Sequence, residues 1–507
     1  MNHTGGVMAT QHIAVIDVGK TNKKVLIFNH DLTVVDSAYK SFDEYVEDGI
    51  HYEDVENATA WFMEQLGLFA KKYDIAALSI TTHGSTALCV DRDGNLAVPP
   101  VAYTTDAGEE FDTSFYEEFG SVEELQRATA TAKIGNMVNE GKVLYFCKRK
   151  WPDKFENIHM VLHFPQYFGY LFTGKNGAEP TFTGCHTYLY DPINRKYSTV
   201  AEKLGLTGKL PDTISKSWEV LGTVKPDVAD KTGLSTNCIV TMGIHDSNSS
   251  LLPYLVKGYD NFVLNSTGTW CVAMHPTDTF SFEDTELGKL VYFNLDAFFN
   301  PVKTSIFMGG LEFDTYVALL RDIAGAKGYP PFDRDRYAKI IADRDLFILP
   351  SVVKGTGIFP NALPRACENG EMYGLEDITA GKRVPPFFND YETAYAVLVV
   401  SLALQTRAAL DMTGYRGAGT IFTEGGFRKN DAYNRVLATL YPDSTAVLTN
   451  LSEATAFGAA LLARAALDKT TPRETAGCFE IETTAVSGAD LPGLDAYADA
   501  FTRLVNA

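Results

Sequence analysis

The sequence predicts an α/β protein of two similar domains that face each other across a central cleft. Three observations carry this. Two short polar turns, Asp17-Val18-Gly19-Lys20-Thr21-Asn22 and Asn265-Ser266-Thr267-Gly268-Thr269, stand about half a chain apart. Each lies between β-branched, apolar runs, residues 13–16 with 25–28 and 262–264 with 270–274, which is the pattern of a β-hairpin. Strand-like and helix-like stretches alternate through the rest of the chain. Glycine at a hairpin tip lets a ligand approach the backbone, and hydroxyls and N–H groups there can hold phosphate. Two such tips suggest domains that close on a nucleotide.

The 507 residues suffice for two large domains. The predicted division is 11–243, 244–470 and a C-terminal extension, 471–507, whose last helix docks on the body. A net charge of −20 argues against general nucleic-acid binding. The seven cysteines are scattered, with no CxxC pair, so neither a disulfide framework nor a zinc site is expected. The first eleven residues lack a basic and an apolar region, so no secretory signal is expected. The longest apolar run, 394–404, is too short to span a bilayer and reads as a buried helix. A cytoplasmic protein without membrane or nucleic-acid partners is expected, with a homodimer left open.

Taken in order, the first hairpin is followed by a third strand at 32–38 and a helix at 54–72 with apolar residues Trp61, Phe62, Leu66 and Phe69. A strand at 75–81 ends in Thr82-His83-Gly84-Ser85, where α/β sheets place ligand groups. Strands at 87–91 and 98–103 lead to Thr104-Thr105-Asp106. Residues 121–151 read as mainly helical, and 155–172 as one aromatic-rich helix. Residues 176–220 are irregular, and a lid, a dimer contact or a wall of the ligand pocket all remain open for them. A strand at 239–242 runs into Gly243-Ile244-His245-Asp246. The second hairpin is followed by helices at 307–324 and 390–412, with a strand at 346–352 between. A strand at 420–423 ends in Glu424-Gly425-Gly426. Then come a helix capped at Asn430 or Asp431, a short strand at 446–448 and an Ala/Gly-rich helix at 453–467. The sequence before Lys20-Thr21 imitates a P-loop, but Ala14 stands where that motif needs its first Gly.

Singly these motifs are weak; their order is informative. DVGKTN (17–22), GIHDSNSS (243–250), NSTGTW (265–270), FTEGGFRKNDAYNRVLATL (422–440) and EATAFGAALLA (453–463) together resemble the FGGY family of carbohydrate kinases, within the actin/hexokinase-like (ribonuclease H-like) group. The resemblance covers roughly residues 12–467. It implies ATP and Mg²⁺ as cofactors and a small sugar as substrate. It implies that Asp17 helps hold Mg²⁺ through water, and that Gly19, Lys20, Thr21 and Asn22 line the first phosphate turn. Thr267, Gly268 and Thr269 match the second phosphate turn. Gly425, Gly426 and Asn430 match the adenosine site, with Ala454 and Phe457 near the purine. Asp246 matches the catalytic base, and Thr82, His83, Gly84, Tyr103, Asp106 and His245 fall on the sugar side. The residue types suit phosphoryl transfer, which is mostly positioning plus charge stabilisation. An Asp beside the acceptor hydroxyl takes its proton. Such a carboxylate needs polar neighbours, for which His245, Ser247, Asn248 and Thr267 are candidates. The bland alternative is an N-cap for a helix starting at Ser247.

The chain departs from the family pattern at Lys20, at Ala107-Gly108 after Asp106, at Glu424, and over 350–361. NSTGTW and Tyr103 look more like rhamnulokinases and fuculokinases, whereas His83-Gly84 is shared with xylulokinase-like members. A ketose kinase is expected, acting on L-fuculose, L-rhamnulose or a related deoxyketose first and on a pentulose second. A non-catalytic nucleotide-gated sugar sensor is the alternative.

Overall fold

A computed structural model describes residues 11–353, 357–451 and 453–507. The N-terminal stretch read above for a signal, and part of the divergent 350–361 segment, lie outside the described residues.

Two sheets of matching order form the frame. The first runs Val220–Thr223, Ile239–Thr241, Ile75–Thr82, His12–Val18, Asn22–Phe28, Val34–Ser41, with Ile244–His245 also paired to Ile75–Thr82. The second runs Val291–Leu295, Pro301–Phe307, Cys271–Pro276, Phe262–Thr267, Thr420–Gly425, Thr445–Thr449, Thr483–Ala485. In each, a hairpin supplies two antiparallel strands, and a third strand pairs antiparallel to its second arm. In each, the first arm pairs parallel with a later strand, which pairs parallel with a fifth. The parallel strands are buried on both faces and carry near-continuous apolar runs for that reason.

The helices Asp246–Lys257 and Ala454–Asp468 cross between the sheets. They share one core with Ile13, Val15 and Leu26 of the first sheet and Phe262, Leu264 and Phe422 of the second. Gly458 makes the crossing possible, since a Cβ there would overlap the Ser249 carbonyl. Tyr391–Met412, the one described helix long and apolar enough to cross a membrane, lies in the core of the second half. Its lack of a polar face, as the sequence showed, fits that place. In the last helix, Leu494–Val505, Tyr497 stacks on Phe347 and donates its hydroxyl to the Leu346 carbonyl at 2.6 Å.

Two elements differ from expectation. Residues 155–172 are not one helix: Met160–His163 is a strand paired with Ala87–Val90, and the helix begins at Phe164. Pro165 at the start of that helix resets the chain. Residues 98–103 form only an isolated bridge at Val101 instead of a strand.

Candidate active site

The first hairpin places Asp17 opposite Lys24 in the ladder. The Lys24 ammonium stands 3.3 Å from Asp17 and 2.7 Å from Glu453, which belongs to the other half of the molecule. The Thr455 hydroxyl donates to the same Asp17 oxygen at 2.6 Å. Asp17 is buried, and burial raises its pKa against the opposing pull of Lys24 and Thr455. In the turn itself, a Cβ on Gly19 would stand 2.9 Å from the Asn22 carbonyl, so the turn closes only around glycine. Thr21 and Asn22 are exposed.

Lys20 is not free at that turn. Its ammonium is 2.5 Å from Glu53, also pairs with Glu44, and lies 4.3 Å over the Tyr103 ring. A buried and a partly buried carboxylate and an aromatic face hold it there, whereas the resemblance implied a place on the phosphate turn.

The second hairpin tip is held by backbone contacts. Thr267 donates its hydroxyl to the Glu424 carbonyl at 2.5 Å and accepts from the Phe427 N–H at 2.9 Å. Gly425 has φ +79°, and a Cβ there would overlap the Thr267 carbonyl; a Cβ on Gly310 would overlap that of Gly268. Three turns therefore meet through glycine, leaving Gly268, Thr269, Gly425 and Gly426 exposed. Asn430 caps Asp431–Leu440 by accepting from the Tyr433 N–H at 3.1 Å, and its amide donates to the Tyr395 hydroxyl at 3.0 Å. The Glu424 carboxyl, in place of a small residue, is buried against the Tyr254 hydroxyl, and burial pushes its pKa up to about 7. Ala454 opens the helix that carries Thr455 beside Asp17. Phe457 packs on Phe28 and Phe479 in the shared core, which corrects its expected place near a purine.

The strand Ile75–Thr82 delivers Thr82, His83 and Gly84 to the cleft. Thr82 turns its hydroxyl onto the His83 carbonyl. The His83 ring is buried against Tyr103 and Phe164, 3.6 Å from Glu53, and burial holds it neutral. Gly84 faces His245, where a Cβ would come within 2.8 Å of Nε2. Asp106, expected on the sugar side, is exposed and accepts from the Gly108 N–H in the turn before the helix Glu109–Phe119.

Asp246 is the first residue of its helix, not the cap before it; His245 takes that place. Asp246 Oδ1 accepts from the Ser247 N–H at 2.6 Å and the Ser247 hydroxyl at 3.3 Å, and stands 3.3 Å from His245 Nε2. Of its expected neighbours, Asn248 and Thr267 bond elsewhere. The side chain keeps 28% of its accessible surface, yet lies deep between the two halves, and burial pushes its pKa up to about 6. The helix N-terminus favours its ionised form in opposition.

Sequence reading missed several groups here: Glu53, Thr455, Gly310, Glu179, Thr181 and His186. His186 comes from the irregular 176–220 stretch. Its ring lies 4.6 Å from that of Tyr292 across the cleft, and burial pushes its pKa down to about 3. That makes part of the stretch a wall of the site.

Models of one family match both halves: the N-terminal domain of the FGGY family of carbohydrate kinases over residues 12–253, and the carbohydrate kinase FGGY C-terminal domain over 260–472. The chain belongs to the FGGY family of carbohydrate kinases. A carbohydrate kinase from Novosphingobium aromaticivorans shares this FGGY fold with a TM-score of 0.78 at 25% identity, over 98% of this chain and 99% of that one. Among curated FGGY relatives, a rhamnulokinase of Bacteroides thetaiotaomicron is 24% identical over 53% of this chain and 55% of its own length. An L-fuculokinase of Escherichia coli is 22% identical over 53% and 57%. The chain thus spans just over half the length of these two relatives.

Proposed function

We propose that this protein is an ATP-dependent sugar kinase that transfers the γ-phosphate to a hydroxyl of a ketose, with Asp246 as the general base. L-Fuculose, L-rhamnulose or a related deoxyketose is the first choice of substrate, a pentulose such as xylulose or ribulose the second. One observation carries the reading. A carboxylate whose pKa burial pushes up to about 6 stands at a helix start, beside the neutral imidazole of His245 and facing Lys24 and Asp17 of the first hairpin. The names of the partial relatives support the order of substrates.

Asp246 takes the acceptor proton as the new oxygen–phosphorus bond forms and the bond to the leaving ADP oxygen breaks. The exposed backbone at Gly268, Thr269, Gly425 and Gly426, with Gly19, Thr21 and Asn22 opposite, offers donors to the phosphates. Thr82, His83, Gly84, Tyr103 and His245 belong to the sugar side, and Lys20 joins them there through Glu53. Among the described residues no group of three or more His, Cys, Asp or Glu could hold a metal ion. Asp17, buried on the first hairpin beside Lys24 and Thr455, is the carboxylate that would hold Mg²⁺ through water, an ion that keeps several waters and binds mainly to substrate phosphates. When bound, the ion neutralises phosphate charge.

ADP release is measured with Mg²⁺–ATP and a panel of ketoses, aldoses and polyols, for wild type and Asp246→Asn. One ketose should stimulate release, and the variant should lose about 100- to 10,000-fold in kcat. No stimulation by any sugar, with ATP bound, would leave the sensor reading in its place.

A further inference from the structure

His245 is held at its backbone and at its ring. Its backbone N–H donates to the Thr181 hydroxyl at 2.9 Å, and that hydroxyl donates to Glu179 at 2.8 Å. Glu179 is fully buried and also accepts from the Thr181 and Phe182 N–H groups and the Ser217 hydroxyl. One turn along the helix, the Asn248 amide nitrogen stands 3.5 Å from the Thr181 carbonyl and 3.3 Å from His245 Nδ1. Flipping that amide would set its oxygen against the Thr181 carbonyl, two acceptors facing, so the nitrogen belongs there. An amide nitrogen can only donate. His245 Nδ1 is therefore an acceptor, and in the neutral ring the proton sits on Nε2, the atom 3.3 Å from Asp246 Oδ1.

We propose that Asn248 is a positioning residue that locks His245 in its Nε2–H tautomer, so that the ring presents a donor to the Asp246 carboxylate. The separation is long for N–H···O⁻ in the free protein, and such bonds tighten on substrate binding. The proposal rests on Asp246 being the base. The groups facing Asp246 from other elements are Lys24 and Asp17 on the first hairpin, Tyr103, Cys185 and Tyr292. Lys24 favours the carboxylate and Asp17 opposes it. None of the five changes when Asn248 does.

The test is the pH profile of kcat/KM for wild type, Asn248→Ala, His245→Gln and the double variant. Glutamine offers an N–H near the place of Nε2 without needing Asn248. Losing the donor raises the pKa of Asp246, so Asn248→Ala should move the acid limb up by about one pH unit. In the His245→Gln background the same change should move it little. Imidazole ¹⁵N spectra should show His245 as Nε2–H in wild type and as a tautomer mixture in Asn248→Ala. An unmoved acid limb, an equal shift in both backgrounds, or a wild-type Nδ1–H tautomer overturns the proposal. Failure of the base reading itself looks different: Asp246→Asn would then keep its turnover.

Discussion

The turn at residues 18–23 and the turn at 267–271 occupy the same place in two sheets of the same order, but they are built from different materials. Around the first stand charges: Asp17 with Lys24, and Lys20 with Glu44 and Glu53. Around the second stand glycines, with backbone passing so close at positions 310 and 425 that no side chain fits. Duplicate topology thus leaves the halves free to differ in how they meet a ligand. The charged surround of the first turn can be retuned by substitution, although the turn itself closes only around Gly19. The glycine side tolerates almost no change, because backbone fills the space a side chain would need.

The largest expected effect breaks the second turn. Gly310→Ala forces backbone apart and should cost about 2–4 kcal/mol of stability, read as a lower Tm, with the KM for ATP rising more than that for sugar. Gly19→Ala, whose nearest contact is 2.9 Å, should cost less. Equal losses would sink the contrast between the turns.

Next is the cost of charge in the cleft. Burial raises the pKa of Asp246 to about 6, above its ordinary 3.8. The stability this group contributes is therefore full below pH 4 and lost as pH rises through 6. Asp246→Asn should be more stable than wild type at pH 7.5 by on the order of 2 kcal/mol, with the gap shrinking toward pH 4. Thermal melts across pH test this; a gap that widens in acid contradicts it.

The smallest effect sharpens the role of Lys20. Lys20→Met leaves Glu44 and Glu53 without their cation. The KM for sugar should rise several-fold while that for ATP stays within a factor of two, since each tenfold change in affinity is only about 1.4 kcal/mol. The reverse ordering would return Lys20 to the phosphates.

Much of this was legible in the sequence, because hairpins, strand ends and helix caps are written in neighbouring residues. The two tips, the Asn430 cap and the docked last helix are of that kind. What escaped depends on residues far apart in the chain. Lys20 meets carboxylates at 44 and 53, Asp17 meets Thr455, and His245 hangs from Thr181; nothing near any of these names its partner. The strand Met160–His163 escaped for another reason. It is three apolar residues and a histidine inside an aromatic-rich stretch, and only its partner at Ala87–Val90 makes it a strand.

The clasp between Asp17 and Thr455 also sets a timetable for synthesis. One face of the first sheet, with Ile13, Val15 and Leu26, is covered by a helix that ends at Asp468. At ribosomal speeds of ~5–20 residues per second, those strands leave the tunnel roughly 20–90 s before their cover exists. For that interval the nascent chain carries an apolar sheet face without the helix Ala454–Asp468 that completes its cover, and holding it apart from other chains falls to the cell.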